Sequence, residues 1–288
     1  MTFKSFFSVL VLLTVSFQGI SQDLYINNWK EIDSLEKKGL FNMGLKKVNT
    51  IFLKAIKSQN HEQVIKSVFY ELKYNTYLKE DDYILAIHNL ENLIKQTPSP
   101  AKEILHSLTA EVYWGYYSAN SWKYSQRTAV QPEVELNDLR TWGLKRIADK
   151  VIYHYEQSLK NETILQSELI ENYKTIIQDS EDTKEFRPTL LDFLGHRAIN
   201  FFNDNSFNVP GSAVTYTMNT KDYFGSSTTF SQLDITSPDK YNTTYYGSLF
   251  YQKLTTFRLT QPNKTALLLL ELDRIKYANS KSVSTNKE

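Results

Sequence analysis

Four stretches between residues 24 and 97 repeat apolar side chains at three- and four-residue steps, and the joints between them are only a few residues long. The first begins with Leu24, Ile26, Trp29 and Ile32. It stops at Lys37-Lys38-Gly39, basic residues followed by a glycine, as a helix C-terminus does. A second, about 42–58, carries Leu45, Val48, Ile51, Phe52 and Ile56. A third, about 60–77, carries Val64, Ile65, Val68, Phe69 and Leu72, and a fourth, about 80–96, carries Tyr83, Ile84, Ala86, Ile87, Leu90 and Leu93. Ser58-Gln59-Asn60 and Thr76 to Asp81 are the joints. Such a helix cannot bury its apolar face alone, so neighbours must pack as antiparallel hairpins. The pattern predicts a mainly α fold, a tetratricopeptide-like array of helical hairpins that lacks the strict repeat signature.

Pro98-Ser99-Pro100 resets the chain. A long aromatic helix is predicted after it, with Ile104, Leu105, Leu108, Val112, Tyr113, Tyr116 and Tyr117 on one broad face. Residues 121–137 have no helical period and read as a loop containing Trp122, Tyr124, Arg127, Thr128 and Pro132. Asn137 or Asp138 caps the next predicted helix, about 138–160, whose stripe is Leu139, Trp142, Leu144, Ile147, Val151, Ile152 and Tyr155. Another is predicted at about 187–204, with Pro188 in its first turn. Residues 203–240 are rich in Ser, Thr, Asn, Asp and Gly and predict one long irregular segment with a short strand near Val214–Met218. Helices at about 242–259 and 262–278 follow, then a polar tail from Asn279 to Glu288. The expected organisation is a helical-repeat-like region at 22–97, an aromatic-rich helical region at 98–204, a loop-rich segment at 205–241, a hairpin at 242–278 and the tail at 279–288.

The N-terminus carries the three parts of a signal peptide. Lys4 is the sole charge before Asp23, Phe6 to Phe17 is apolar apart from Ser and Thr, and Gly19-Ile20-Ser21 places small residues at the −3 and −1 positions. The run is shorter than the roughly 20 residues of a membrane anchor. The expectation is export to the periplasm or cell envelope, with cleavage between Ser21 and Gln22 and no membrane insertion afterwards. Loss of Lys4 takes the formal charge of +1 to zero, which provides no electrostatic drive toward nucleic acid or an anionic bilayer. The chain has no cysteine, which removes disulfides, thiol nucleophiles, zinc knuckles and lipid attachment at an N-terminal Cys. Stability must therefore come from packing, to which the 19 Tyr, 16 Phe and 4 Trp are suited.

No sequence motif marks a catalytic residue, a cofactor site or a metal site. There is no G-x-S-x-G elbow, no phosphate-binding glycine loop and no H-E-x-x-H helix. His61-Glu62 are adjacent and do not share a helix face, so capping and solvation explain them. His106, His154 and His196 each sit within an aromatic or apolar helix and read as interior hydrogen-bonding residues. His154 and Glu156 point apart at i, i+2, and Glu181, Asp182 and Glu185 read as a solvated joint. Trp114, Trp122 and Tyr124 form an aromatic set whose expected use is interhelical packing rather than a ligand cradle.

Four separated segments, in order, carry a resemblance. They are Ile104–Tyr117 (ILHSLTAEVYWGYY), Trp122–Thr128 (WKYSQRT), Leu139–Ile147 (LRTWGLKRI) and Phe186–Ala198 (FRPTLLDFLGHRA), and the opening Lys38-Gly39-Leu40 and the late Leu270–Lys276 (LELDRIK) are similar to the same region. Together they resemble the N-terminal helical region of the large alpha-2-macroglobulin family proteins of Bacteroidetes-type bacteria, over nearly the whole mature chain. The resemblance implies a non-catalytic module that precedes macroglobulin β-sandwich domains, a bait segment and often a Cys–Gln thioester. It implies protease inhibition for the intact family member only, because no cysteine is present here to form a thioester. The expected partner is protein: the macroglobulin domains themselves or another envelope protein. A stand-alone tetratricopeptide-like scaffold that binds a peptide or envelope partner is the other expectation.

Overall fold

The computed structural model describes residues 25–78, 82–125, 138–177, 183–204, 206–209, 216, 218 and 221–282. The signal peptide expectation and most of the loop at 121–137 lie outside the described residues. Within them the regular structure is helical and no strand occurs, the nearest approach being one isolated antiparallel bridge between Leu169 and Thr189. The fold is mainly α and built of helical hairpins. The chain divides into two compact units between Asp82 and Tyr83.

In the first unit, a helical stretch over 25–37 (α1) is followed by α2 (Phe41–Lys57) and α3 (His61–Leu78). Gly39 stops α1 as expected: its φ is +69°, and the bonds Gly39 N to Glu36 O (2.9 Å) and Leu40 N to Leu35 O (3.0 Å) close a Schellman turn. The joint after α2 uses the same geometry with Gln59 at φ +54°, a position where glycine is usual. Gly44 near the start of α2 lies against Tyr74 near the end of α3, so this hairpin is antiparallel. Helix α1 runs parallel to α3, since Trp29 Nε1 donates to Gln63 Oε1 (2.6 Å), Tyr70 OH to Asp33 (3.1 Å) and Tyr74 OH to Glu36 (3.1 Å). Tyr25, Trp29, Ile32, Val48, Ile51 and Tyr74 form the core. The buried stripe of α2 is Gly44, Val48, Ile51 and Ala55, which leaves Ile56 nearly half exposed. Ile56 was expected on that stripe, but it follows Ala55 by about 100° around the helix and so faces outward.

The second unit is organised around α5 (Ala101–Ala119), preceded by α4 (Asp82–Gln96) and followed by the short α6 (Ser121–Ser125). A 3-10 turn at Leu139–Thr141 leads to α7 (Leu144–Gln157); Asp138 caps the 3-10 turn rather than the helix, accepting from Arg140 N (3.0 Å). Short pieces follow: α8 (Glu162–Ser167), a 3-10 turn at Ile170–Tyr173 and α9 (Thr183–Phe186). Helix α10 (Leu190–Asn203) starts at a capping box in which Thr189 and Asp192 exchange bonds. That box moves the start past Pro188, which stands outside the helix and gives its carbonyl to Ile170 N (3.0 Å). The segment expected to be wholly irregular contains a 3-10 turn, Lys221–Phe224, and α11 (Ser227–Ser231). Of the strand expected near Val214–Met218 only Tyr216 and Met218 are described, neither in a strand; the remainder lies outside the described residues. Helices α12 (Thr243–Thr260) and α13 (Thr265–Lys281) form the last hairpin. Helix α13 runs past Asn279, where the polar tail was expected to begin, because Tyr277 and Ala278 are buried and hold its final turn in place.

Helix α5 is buried almost all round, from Ala101 to Ala110 with only Lys102 partly out, as befits a central helix. Its three sides meet three neighbours. Tyr113 faces α4 through Glu91, and His106 faces α7 through His154. Ser107 accepts from Arg197 Nε of α10 (3.0 Å), and Trp114 packs edge-on against Phe201. The high aromatic content becomes a continuous cluster here: Trp114, Tyr155, Phe201, Phe202, Phe207 and Tyr246 have ring centroids 4.7–6.0 Å apart. Trp114 thus serves packing, while Trp122 is 60% exposed on α6 and Tyr124 meets Tyr117 at 5.2 Å.

Candidate functional site

The residues with most chemistry converge where α4, α5 and α7 meet. A cavity of about 360 Å³ opens there, within the range of small-molecule sites. Helix α4 supplies Ile84, Ile87, His88 and Glu91, while α5 contributes Tyr113. Leu139 and Trp142 come from the 3-10 turn and its C-cap, and Arg146 and Lys150 stand one turn apart on α7. The i, i+4 spacing puts both cations on one face, toward the cavity.

Glu91 is the hub. Its Oε1 accepts from Tyr113 OH (2.7 Å) and Lys150 Nζ (2.7 Å), and His154 Nε2 stands 3.9 Å away. At that length the histidine contact is electrostatic rather than a hydrogen bond. The facing His154 edge, with Lys150 and Tyr113, holds the Glu91 carboxyl well below the usual carboxylate range, so it is ionised at neutral pH. The same burial and the adjacent carboxylate push the Tyr113 phenol far above its ordinary range, leaving it a donor.

Behind Glu91, His106 Nδ1 and His154 Nδ1 are 2.9 Å apart in the core. One nitrogen must carry the proton and the other must accept. If His154 donated from Nδ1, its bare Nε2 lone pair would face the Glu91 carboxylate. The contacts therefore assign His106 as the Nδ1–H tautomer, donating to His154 Nδ1, and His154 as Nε2–H, facing the Glu91 carboxylate. Burial and the neighbouring His154 bring His106 down to about 3, and burial likewise lowers His154. Both are neutral at pH 7.

The far wall is aromatic. Tyr113 and Trp142 stack with ring centroids 6.2 Å apart and planes 12° apart. Arg146 lies 4.1 Å over the Trp142 ring, and Lys150 about equally far from Tyr113 (5.8 Å) and Trp142 (6.0 Å). Arg146, Lys150 and Glu91 thus stand beside an apolar and aromatic surface.

His196, the third interior histidine, is remote from this cavity in sequence and partners: its Nδ1 donates to the Asp192 carbonyl (2.8 Å). Sequence reasoning placed His106 and His154 in the interior but did not join them, and it missed Glu91, Arg146 and Lys150. The signal available was Glu91 itself, next to Leu90 and one turn from Ile94 in a helix whose one other acid, Asp82, is its first residue. Among the described residues no group of three or more His, Asp or Glu side chains is arranged to hold a metal ion, and no helix is long and apolar enough to cross a membrane.

A second feature is a surface. On α13, Leu268, Leu272 and Ile275 are 74%, 49% and 42% exposed at i, i+4 and i+7, an aliphatic stripe on the face opposite Leu270, Arg274 and Tyr277. No family model, no curated protein and no solved structure matches this chain.

Proposed function

We propose that this chain is an exported, non-catalytic helical docking module that works as the front part of an alpha-2-macroglobulin-like protein. The observation that carries the docking role is the α13 stripe. The exposed face of a helix is normally polar, whereas here three large aliphatic side chains occupy it. The sequence resemblance supplies the occupant, namely the macroglobulin-type domains of the same polypeptide. Protease inhibition is a property of those domains, and this region positions them. Export rests on the charge, apolar run and small residues of the first 21 positions.

Because the chain has no cysteine, Leu268→Cys creates a single thiol on the stripe. Maleimide should label it rapidly in the isolated chain and much more slowly in the polypeptide read from the coding frame beyond Glu288. Equal labelling rates would remove the docking reading, and a frame without β-sandwich sequence would replace the macroglobulin assignment with a stand-alone scaffold. Export has its own check: N-terminal sequencing of envelope-fraction protein should begin at Gln22, and recovery of Met1 would refute it.

A further inference from the structure

The near-zero formal charge of the whole chain conceals an uneven distribution. Helix α2 carries four lysines and no acidic residue. Met43, Lys46, Thr50, Leu53 and Lys57 follow one another at steps of three and four, which sets them within about 80° of arc, away from the buried Gly44, Val48, Ile51 and Ala55. All five are exposed, Met43 and Leu53 by 53% and 61%. Lys54 and Ile56, also exposed, flank this stripe on either side. Lys54 lies 5.4 Å over the Tyr25 ring. Glu31 of α1 is taken up by Lys47 (2.8 Å), and among the described residues no carboxylate pairs with Lys46, Lys54 or Lys57.

We infer that this face of α2 is a peripheral docking surface for an anionic lipid bilayer. Charge complementarity names the partner, because the ammonium groups of Lys46, Lys54 and Lys57 stand among the aliphatic Met43, Leu53 and Ile56 with no acid on the helix. The mixture itself selects lipid over protein. The core of a protein–protein interface is depleted of lysine. At a bilayer boundary a lysine lays its methylene stem along the apolar edge and puts its ammonium among the phosphates. A second copy of the chain would bring lysines against lysines. Met43, Leu53 and Ile56 would reach just below the headgroups while the opposite face of α2 stays packed in its core. Each lysine at such a surface is worth about fivefold in partitioning.

Vesicles of phosphatidylcholine with about 30% phosphatidylglycerol, and of phosphatidylcholine alone, separate the charge from the bilayer. The chain tested starts at Gln22, so that the apolar run before it cannot enter the lipid itself. By flotation at about 0.1 M salt, it should bind the anionic vesicles at least about tenfold more tightly than the neutral ones. Lys46→Gln combined with Lys57→Gln should lower that affinity by about tenfold or more, with the melting temperature unchanged because both side chains are exposed. An environment-sensitive fluorophore on Leu53→Cys, the sole thiol of that variant, should shift to the blue on anionic vesicles, and one on Leu268→Cys should not. No binding, equal binding to both vesicles, or unchanged affinity of the double lysine variant overturns the inference. A blue shift on Leu268→Cys in place of Leu53→Cys does so too. Binding of poly-L-glutamate as tight as that of the anionic vesicles would assign an acidic protein partner and equally overturn it. If the double variant does not fold, the vesicle comparison and the two fluorophores decide. The inference does not rest on α13, so an absence of lipid binding leaves the docking proposal standing.

Discussion

Replacing Arg258 with methionine should cost about 3–5 kcal/mol of folding stability, the largest single-side-chain effect expected in this chain. Arg258 and Asp192 are 4% and 2% exposed, and the guanidinium grips both carboxylate oxygens, Nε to Oδ1 at 2.8 Å and Nη2 to Oδ2. Asp192 also accepts from Thr189 N (2.9 Å) as part of the box that starts α10. Removing the guanidinium leaves a charged carboxylate without its counter-ion in the core, and the penalty is the desolvation of that orphan rather than the worth of the pair. Asp192→Asn combined with Arg258→Met removes both charges and should recover part of the loss, so the two changes are strongly non-additive. Urea unfolding of the single and double variants measures this. A loss under about 1 kcal/mol for Arg258→Met would show that water reaches the pair. The contrast within the same unit is Lys240–Asp149, equally close at 2.8 Å but 63% and 47% exposed, whose removal should cost less than about 1 kcal/mol.

Acid should weaken the fold well before its carboxylates titrate. His106 is held down to about 3 by burial and the adjacent His154, with Lys102 and Lys160 acting the same way. His196 is held down to about 4 by burial and Arg187, against the opposing pull of Asp192 and Asp273. An unfolded histidine takes its proton near pH 6.5. Between pH 6.5 and about 4 the unfolded state therefore binds protons that the folded state refuses, and stability falls as pH falls. Fully present above pH 7, the contribution should drop by about 2 kcal/mol for each of these two histidines at pH 5. His154, also lowered, adds in the same direction. Glu91 acts in a lower window, because a depressed carboxyl loses its contribution only as pH drops below the ordinary carboxylate range. Unfolding free energies from urea titrations at pH 7.5 and pH 5 should thus differ by about 4 kcal/mol, and His106→Asn should remove roughly half of that difference. A stability independent of pH over this interval would mean that the histidines are hydrated.

The helices with strong three-and-four periodicity were legible from the chain itself. Helices α2, α12 and α13 begin and end within about three residues of their expected limits, and Gly39 terminates α1 where the Lys-Lys-Gly signal places the stop. What periodicity could not reveal were pieces too short to show a period. The residues from Asn161 to Phe186 hold helices of six and four residues plus a 3-10 turn, fixed by contacts such as Leu190 N to Glu168 O (2.8 Å) rather than by local pattern. The cavity was hidden for a related reason. Glu91 meets Lys150 across 59 positions and Tyr113 across 22, so no motif spacing contains the hub. Interior histidines could be recognised one at a time, but which ones share a proton depends on how α5 and α7 register.

The central place of α5 bears on when the second unit becomes stable. In a linear solenoid each repeat leans on its immediate neighbour, and a terminal repeat can be lost without collapse of the others. Here α5 is completed by His154 on one side, 48 positions later, and by Arg197 on another, 90 positions later. Before α10 has been synthesised, the Ser107 and Trp114 side of α5 has no cover. Long-range closure of this kind raises contact order above that of a simple helical array and makes folding slower and more cooperative. A nascent chain that has reached α7 should therefore still be protease-sensitive, and it should acquire resistance in one step once α10 is available rather than helix by helix.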